Sequence, residues 1–353
     1  MSKQAETAAA EVLRSGYVGQ GPKVEEFEKE LKRVFGSSTD ILTLNSCTSA
    51  IDLALHLCGV GPGDRVICTP QTCTASNSGV VTRGAQPVWC DIDPKTGLMD
   101  PRSIESLSLI PRVKTIIAVD WTGTKCDYTQ LRSFGIPVIE DAAHCFAPIG
   151  LSGHYVCHSF QAIKFETCCD GGSLKCPNEE QTERARLLRW YGLNRRTSAN
   201  FRCAQCIQEI GYKYHMNDLN AAIGLENLPY ALRAVETQRR NAEFYSEAFK
   251  DIADSGKVTP PPGKQSSWWL YMLLVEDREG FQKLMADRNI DTSPVHARND
   301  KHDAFKRIAI SPVSLPGLEY YSARNVAIPV GWWLTKQELE YIADSVILWS
   351  KQS

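Results

Sequence analysis

Apolar positions recur along this chain in two alternating rhythms. From Pro22 they fall three and four apart, with Val24, Phe27, Leu31 and Val34 on one face. That spacing predicts an amphipathic helix opened by proline and stopped at Gly36. A second helical pattern, Ile51, Leu53, Ala54, Leu55 and Leu57, starts directly behind Asn45-Ser46-Cys47-Thr48-Ser49-Ala50. Between such stretches come short apolar runs: Arg65-Val66-Ile67-Cys68, Pro87-Val88-Trp89, Thr115-Ile116-Ile117-Ala118-Val119 and Pro137-Val138-Ile139. Runs of this kind separated by helices predict an α/β fold whose mostly parallel sheet is covered on both faces.

The rhythm changes in the second half. A long helix is predicted from about Asn217 through Phe249. After Pro260-Pro261-Pro262-Gly263 come a strand from Trp268 to Val275, a helix from Arg278 to Arg288 and a strand Asp291-Thr292-Ser293-Pro294-Val295. The proline run reads as a loop between elements rather than a polyproline recognition motif. At 353 residues the chain exceeds one small core. Two units are expected, a large one over residues 1–235 and a smaller C-terminal α/β unit over 236–353. No internal repeat or low-complexity tract interrupts them.

Composition narrows the function classes. A net charge of −2 and a pI near 6.4 provide no global basic field, so nucleic acid is not an expected partner, although local positive charge can still meet a diphosphate. The start, Ser2-Lys3-Gln4-Ala5-Glu6, is polar and Ala8-Ala9-Ala10 is too short to span a bilayer, so no membrane association is expected. Thirteen cysteines are scattered. Cys203-x-x-Cys206 has no second pair and Cys168-Cys169 are adjacent, so free thiols in a reducing, cytoplasmic setting are expected and a metal site is not. No Gly-x-Gly-x-x-Gly follows a strand, which argues against a nicotinamide enzyme.

Four segments carry candidate chemistry. Lys164 lies five residues after Ser159, just before Gly171-Gly172. Upstream, an apolar strand ends in Glu140-Asp141-Ala142-Ala143-His144. A lysine can form a Schiff base with an aldehyde cofactor when burial keeps part of it neutral. A carboxylate at a strand's carboxyl end can keep a ring nitrogen protonated. The helix start at Asn45 to Ala50 offers amides and hydroxyls to a phosphate. Taken singly, Lys164 also reads as a solvated lysine, Asp141 as a turn former and Thr48 as a plain helix N-cap. Their joint order matches what pyridoxal phosphate needs.

These segments, with Gly211-Tyr212-Lys213-Tyr214-His215-Met216-Asn217-Asp218-Leu219-Asn220-Ala221-Ala222-Ile223-Gly224-Leu225, resemble the nucleotide-sugar aminotransferase family. This is the DegT/StrS-type branch of the fold-type I pyridoxal-phosphate enzymes, and the resemblance runs from Ser15 to about Pro329. It implies an aspartate-aminotransferase-like fold with a seven-stranded type of sheet. By resemblance, Lys164 is the Schiff-base lysine and the acid/base of proton transfer. Asp141 pairs with the pyridinium nitrogen, and His144 sits near the 3-hydroxyl. Ser159, Thr48 and the amides around Cys47 hold the phosphate.

Two positions depart from the family pattern. Cys73 stands where the family usually has an aromatic ring stacked on the cofactor. His215 stands where relatives have Arg or Asn reaching into the neighbouring subunit's phosphate site, and its charge would vary near neutral pH. Alternatively, His215 is a hydrogen-bonded histidine in a loop before a helix. Tyr17, Lys213, Arg189 and Arg195 are candidates for the substrate's diphosphate and nucleotide, although the basic stretch around Trp190 reads equally well as a solvated loop. The N-terminal strand usual in the family is expected to be short or absent.

The resemblance further implies a homodimer with shared active sites and ping-pong transfer from L-glutamate through pyridoxamine phosphate to a nucleotide-linked keto sugar. Similarity of the Gly211 to Leu225 segment to perosamine-type members suggests a 4-keto-6-deoxyhexose. A cyclitol aminotransferase and a non-catalytic protein that kept the fold are the alternatives. The related dehydratases carry histidine in place of the lysine, so Lys164 argues against them.

Overall fold

The computed structural model describes residues 1–146, 150–197, 204–263 and 266–351. Helices α1 (Lys3–Ser15) and α2 (Pro22–Phe35) come first. A large unit follows: β1 (Ile41–Leu44), α3 (Cys47–Leu57), β2 (Arg65–Cys68), α4 (Thr74–Thr82), β3 (Gln86–Trp89), α5 (Pro101–Leu107), β4 (Val113–Val119), α6 (Tyr128–Ser133), β5 (Val138–Asp141), β6 (Tyr155–Ser159), β7 (Gly172–Lys175) and α7 (Glu179–Leu188). Helix α8 (Asp218–Ala248) leads to a smaller unit of β8 (Val258–Thr259), β9 (Tyr271–Val275), α9 (Arg278–Asp287), α10 (Asp303–Lys306), α11 (Pro316–Arg324), β10 (Asn325–Ile328) and α12 (Lys336–Lys351).

The large sheet has the order β1-β7-β6-β5-β4-β2-β3. Its pairs from β6 to β3 are parallel, and β7 is antiparallel to both β1 and β6. All strands except β7 therefore end at one edge. One face is covered by α3, α4 and α7 through residues such as Leu53, Val80 and Leu188. The other is covered by α5 and α6, joined by Leu318 and Tyr321 of the small unit. Double coverage explains why the strands read as unbroken apolar runs. Each fully buried Leu or Ile contributes roughly 1.5–3 kcal/mol, which outweighs the few tenths that Thr48, Ser49 and Ile51 cost α3 in helix propensity.

Chain ends and caps explain the boundaries. Gly36 stops α2 with φ of 61°, a left-handed turn that glycine adopts freely. The residue before α2, Gly21, has no side chain to cap it. Instead Asp218, at the start of α8, accepts hydrogen bonds from the amides of Gly21 (2.7 Å), Lys23 (3.2 Å) and Val24 (3.0 Å). The first element among the described residues is the helix α1. Its N-cap is Ser2, whose hydroxyl accepts from the Ala5 amide at 3.1 Å.

Helix α8 is the seam of the molecule. Its residues Leu228, Ala231 and Val235 share a core with α2, whereas Ala242 and Tyr245 share one with β9, β10 and α12. The small sheet is antiparallel in the order β10-β9-β8. Two expected strands come out differently. The run from Trp268 becomes strand only at Tyr271, because the preceding segment bonds to the large unit: the Ser267 amide donates to Gly123 O (2.8 Å) and the Leu270 amide to Thr122 O (3.2 Å). Residues 291–295 form a single bridge, Ser293 to Ala327. Pro294 has no amide to donate and Val295 lies at φ of 71°, so the ladder stops there.

Candidate active site

The sheet edge where most strands end gathers the predicted chemistry. Ser159 and Leu44 both stand opposite Gly172, so the ends of β6 and β1 and the start of β7 form one row. A Cβ on Gly172 would collide with the Cys47 nitrogen, so only glycine lets α3 seat its first turn against β7. Ser46 rather than Thr48 caps α3, its hydroxyl accepting from the Ser49 amide at 3.1 Å. The amides of Cys47 and Thr48 begin the helix without an intrahelical acceptor and carry the positive end of its dipole. Thr48 is exposed there and Ser159 half-buried.

Lys164 sits on the connection from β6 to β7. Its amide donates to Gln161 O (2.9 Å), and two asparagines of α8 clamp the rest of the loop. Asn220 Nδ2 donates to Cys168 O (2.9 Å) and Asp170 O (2.7 Å), and Asn227 Nδ2 to Thr167 O (2.7 Å). Burial pulls the Lys164 amine down from 10.5 to about 8, while Asp141, Cys47 and Cys73 lie near enough to pull it back up. At pH 7 about a tenth of such an amine is neutral, against roughly one in a few thousand for a solvated lysine. Asp141 and Cys47, from two separate segments, thus come close to the Lys164 amine.

Asp141 is buried. Its Oδ2 accepts from Ser76 Oγ at 2.6 Å and its Oδ1 from the Ala143 amide at 3.1 Å. Burial raises its carboxyl above the usual range, and Ser76, Ala143 and Lys164 oppose that rise. His144 is also buried and its Nδ1 has no partner. Its ring stacks on Trp269 at 4.0 Å, with Trp121 at 5.3 Å and His296 at 6.3 Å. Burial first, then Lys164 and His296, holds it well below the ordinary histidine range. Cys73 is half-buried at the start of α4. Sequence reading missed Ser76, Trp121, Trp269 and His296. Ser76 lay within reach, one turn after Thr72, whereas the others come from distant segments with no local signal.

Most of the candidate substrate residues lie elsewhere. A cleft of about 800 Å³ has Tyr17, Arg186, Trp190, Arg195 and Arg196 among its walls, and Lys164 and Asp141 are not among them. Trp190 carries Arg195 at 4.2 Å, Lys213 at 4.4 Å and the His215 ring at 3.5 Å from its ring centre. Tyr17 is exposed, its hydroxyl donating to Gln20 O at 3.3 Å. Two expectations need correction. Arg189 is 2% exposed and donates to Glu28 and to Thr43 O (2.8 Å), so it is a structural cation whose charge is already spent. His215 is pushed to about 3 by burial and then by Lys213, Arg195 and Arg189, so its charge does not vary near neutral pH. Its Nδ1 has no partner, which also removes the reading of a hydrogen-bonded loop histidine at that atom.

Among the described residues no group of His, Cys, Asp and Glu could hold a metal ion, and every described cysteine is free; Cys203 lies outside them. No described helix is long and apolar enough to cross a membrane.

The profile of the DegT/DnrJ/EryC1/StrS aminotransferase family matches residues 1–347. The chain belongs to this family. It is 32% identical over 367 residues to the spore coat polysaccharide biosynthesis protein SpsC of Bacillus subtilis, covering 95% of this chain and 92% of that one. The crystal structure of AtS13 from Actinomadura melliaura superposes with a TM-score of 0.90 at 36% identity, covering 98% of this chain and 95% of that one. The sugar aminotransferase CalS13 from Micromonospora echinospora also gives 0.90, at 30% identity, covering 98% and 97%. The chain is a pyridoxal-phosphate-dependent sugar aminotransferase with the fold of that group.

The Lys164 pocket fits that cofactor. It offers a partly neutral amine, a buried carboxylate whose oxygens each accept one hydrogen bond from the protein, an orphaned histidine nitrogen and two helix-start amides. A simple apolar cavity would present none of these.

Proposed function

We propose that this aminotransferase moves the amino group of L-glutamate to a nucleotide-linked keto-deoxy sugar, a 4-keto-6-deoxyhexose, in ping-pong order through the pyridoxamine form of its cofactor. The carrying observation is Lys164, an amine drawn to about 8 by burial beside Asp141. Pyridoxal phosphate, when bound, supplies the electron sink for the charge left as a proton leaves the amino-bearing carbon. The chain's own residues do the rest. Lys164 Nζ would hold the cofactor's aldehyde carbon and would hold and return the proton of the amino-bearing carbon. Asp141 would hold the ring nitrogen, and His144, kept neutral, would face the ring hydroxyl. The Cys47 and Thr48 amides with the Thr48 and Ser159 hydroxyls would hold the phosphate, Cys73 would border the ring, and His215 would reach toward the neighbouring subunit's phosphate site.

For the second substrate, Arg195 and Lys213 flank Trp190 beside the open cleft, with Tyr17 across it. Two cations held beside the cleft suit the diphosphate of a nucleotide. The name of SpsC, a polysaccharide biosynthesis protein, favours a sugar acceptor over a cyclitol. The reading includes a homodimer with shared sites and a cytoplasmic location, for which the free thiols suit a reducing compartment.

The test is the absorbance of the purified protein with pyridoxal phosphate, recorded before and after glutamate and then with a panel of nucleotide-linked keto sugars, beside Lys164→Ala. Glutamate should bleach the yellow chromophore and one keto sugar should restore it. A chromophore that glutamate leaves untouched would sink the donor assignment, and no response to any nucleotide sugar would sink the acceptor. Light scattering checks the dimer, which a single species of monomer mass would remove.

A further inference from the structure

The segment that leads into β9 reaches Lys164 through Trp269. Lys164 Nζ lies 3.8 Å from the ring centre of Trp269. The indole Nε1 donates to Ile163 O at 3.4 Å, one residue before the lysine, so ring and amine are held from the same stretch of backbone. The His144 ring stacks on the indole at 4.0 Å with 26° between planes.

This placement is built. Gly123 has φ of 98°, and a Cβ there would lie 2.9 Å from His144 O and 3.0 Å from the Trp268 and Trp269 nitrogens. Only glycine lets the segment close on the pocket in this way. On the far side, Gln238 of α8 donates to Trp268 O (2.6 Å) and Trp269 O (3.2 Å). The same segment then runs directly into β9.

We infer that Trp269 is a positioning residue for Lys164, holding its amine over the indole face and tying the small unit to the reacting group. This rests on Lys164 as the reacting amine and goes beyond that reading by assigning what aims it. An aromatic face favours the ammonium form, whereas burial favours the neutral one. Trp269 therefore limits how far burial can drive the amine down.

The experiment follows Lys164 in the full chain freed of cofactor. Its reductive methylation is measured against pH by peptide mass spectrometry. The wild-type midpoint is expected near 8. Trp269→Leu should move it toward acid by about one pH unit, and Trp269→Phe, which keeps a π face, by less than half of that. A midpoint in the Leu variant that stays put or moves to the alkaline side overturns the assignment, as does a Phe variant that shifts as far as Leu. If the Leu variant does not fold, tryptophan emission decides with Phe alone: the wild type should show a step near the Lys164 midpoint that Trp269→Phe lacks, and its persistence in the variant overturns the inference. Neither readout needs bound cofactor. A protein that never binds pyridoxal phosphate would end the functional proposal and leave this test standing.

Discussion

The Lys164 pocket and the Trp190 cleft treat their cations in opposite ways. In the cleft several cations are matched: Arg186 meets Asp40 (2.9 Å) and Glu183 (2.9 Å), Arg196 meets Glu183 (3.1 Å), Lys32 meets Asp40 (2.8 Å), and Arg189 is sealed against Glu28. In the pocket Lys164 has an indole face as its close contact, and its amine has dropped to about 8. The difference separates cations held charged by carboxylates from an amine left partly neutral. A carboxylate in contact keeps a base charged and inert, whereas burial without one leaves it partly neutral and nucleophilic.

The contrast breaks most decisively at Lys164 itself. Lys164→Ala should cut amino transfer by about 10³-fold or more while circular dichroism stays native. Transfer close to the wild-type rate would show that the pocket is not the reacting site.

Next comes the sealed pair in the cleft. Arg189→Met should lower unfolding stability by about 3 kcal/mol, because buried Glu28 would lose its closest cation and keep only Arg186 at 3.6 Å and the Thr43 donors. The exposed Arg196→Ala should cost below about 1 kcal/mol. Urea denaturation compares the two, and equal effects would erase the distinction between buried and solvated ion pairs.

A third measurement sharpens the pocket side through pH. The folded Lys164 amine loses its proton near 8, whereas the unfolded chain keeps one up to about 10.5. Over that window the unfolded state binds more protons, so stability rises with pH; below it the full cost of burying the ammonium remains. Relative to Lys164→Met, the wild type should gain up to about 3 kcal/mol between pH 8 and 10.5. Denaturation curves that stay parallel across this range would contradict the depressed amine.

The smallest effect is expected at Lys213. Lys213→Met should raise KM for the nucleotide sugar about fivefold, from the loss of one cation at Trp190, and leave the glutamate half-reaction unchanged. An equal loss in both half-reactions would place Lys213 outside sugar binding.

Much of this architecture is legible locally. The strands β2, β4 and β5 coincide closely with apolar runs because a doubly covered sheet demands them, and Gly36 and Pro22 bracket α2 for backbone reasons that act within one turn. Other features were not legible. The strand at residues 291–295 dissolved because Pro294 and the left-handed Val295 cannot sustain a ladder. The first residues of the strand expected from Trp268 were lost because the Ser267 and Leu270 amides donate to Gly123 and Thr122, partners far away in sequence.

By itself the sequence determined the α/β alternation and the segments that carry Lys164, Asp141, Ser159 and the start of α3, because periodicity, caps and glycine pairs act over short spans of chain. Tertiary structure alone decided which of the basic residues are spent. Arg189, read as a substrate cation, is neutralised by Glu28; His215, read as a neutral-pH switch, is held uncharged by burial and its basic neighbours; and Trp269, unmarked in the sequence, lies over the lysine. Charge state depends on burial and on the nearest opposite charge, and both are set by residues far away along the chain.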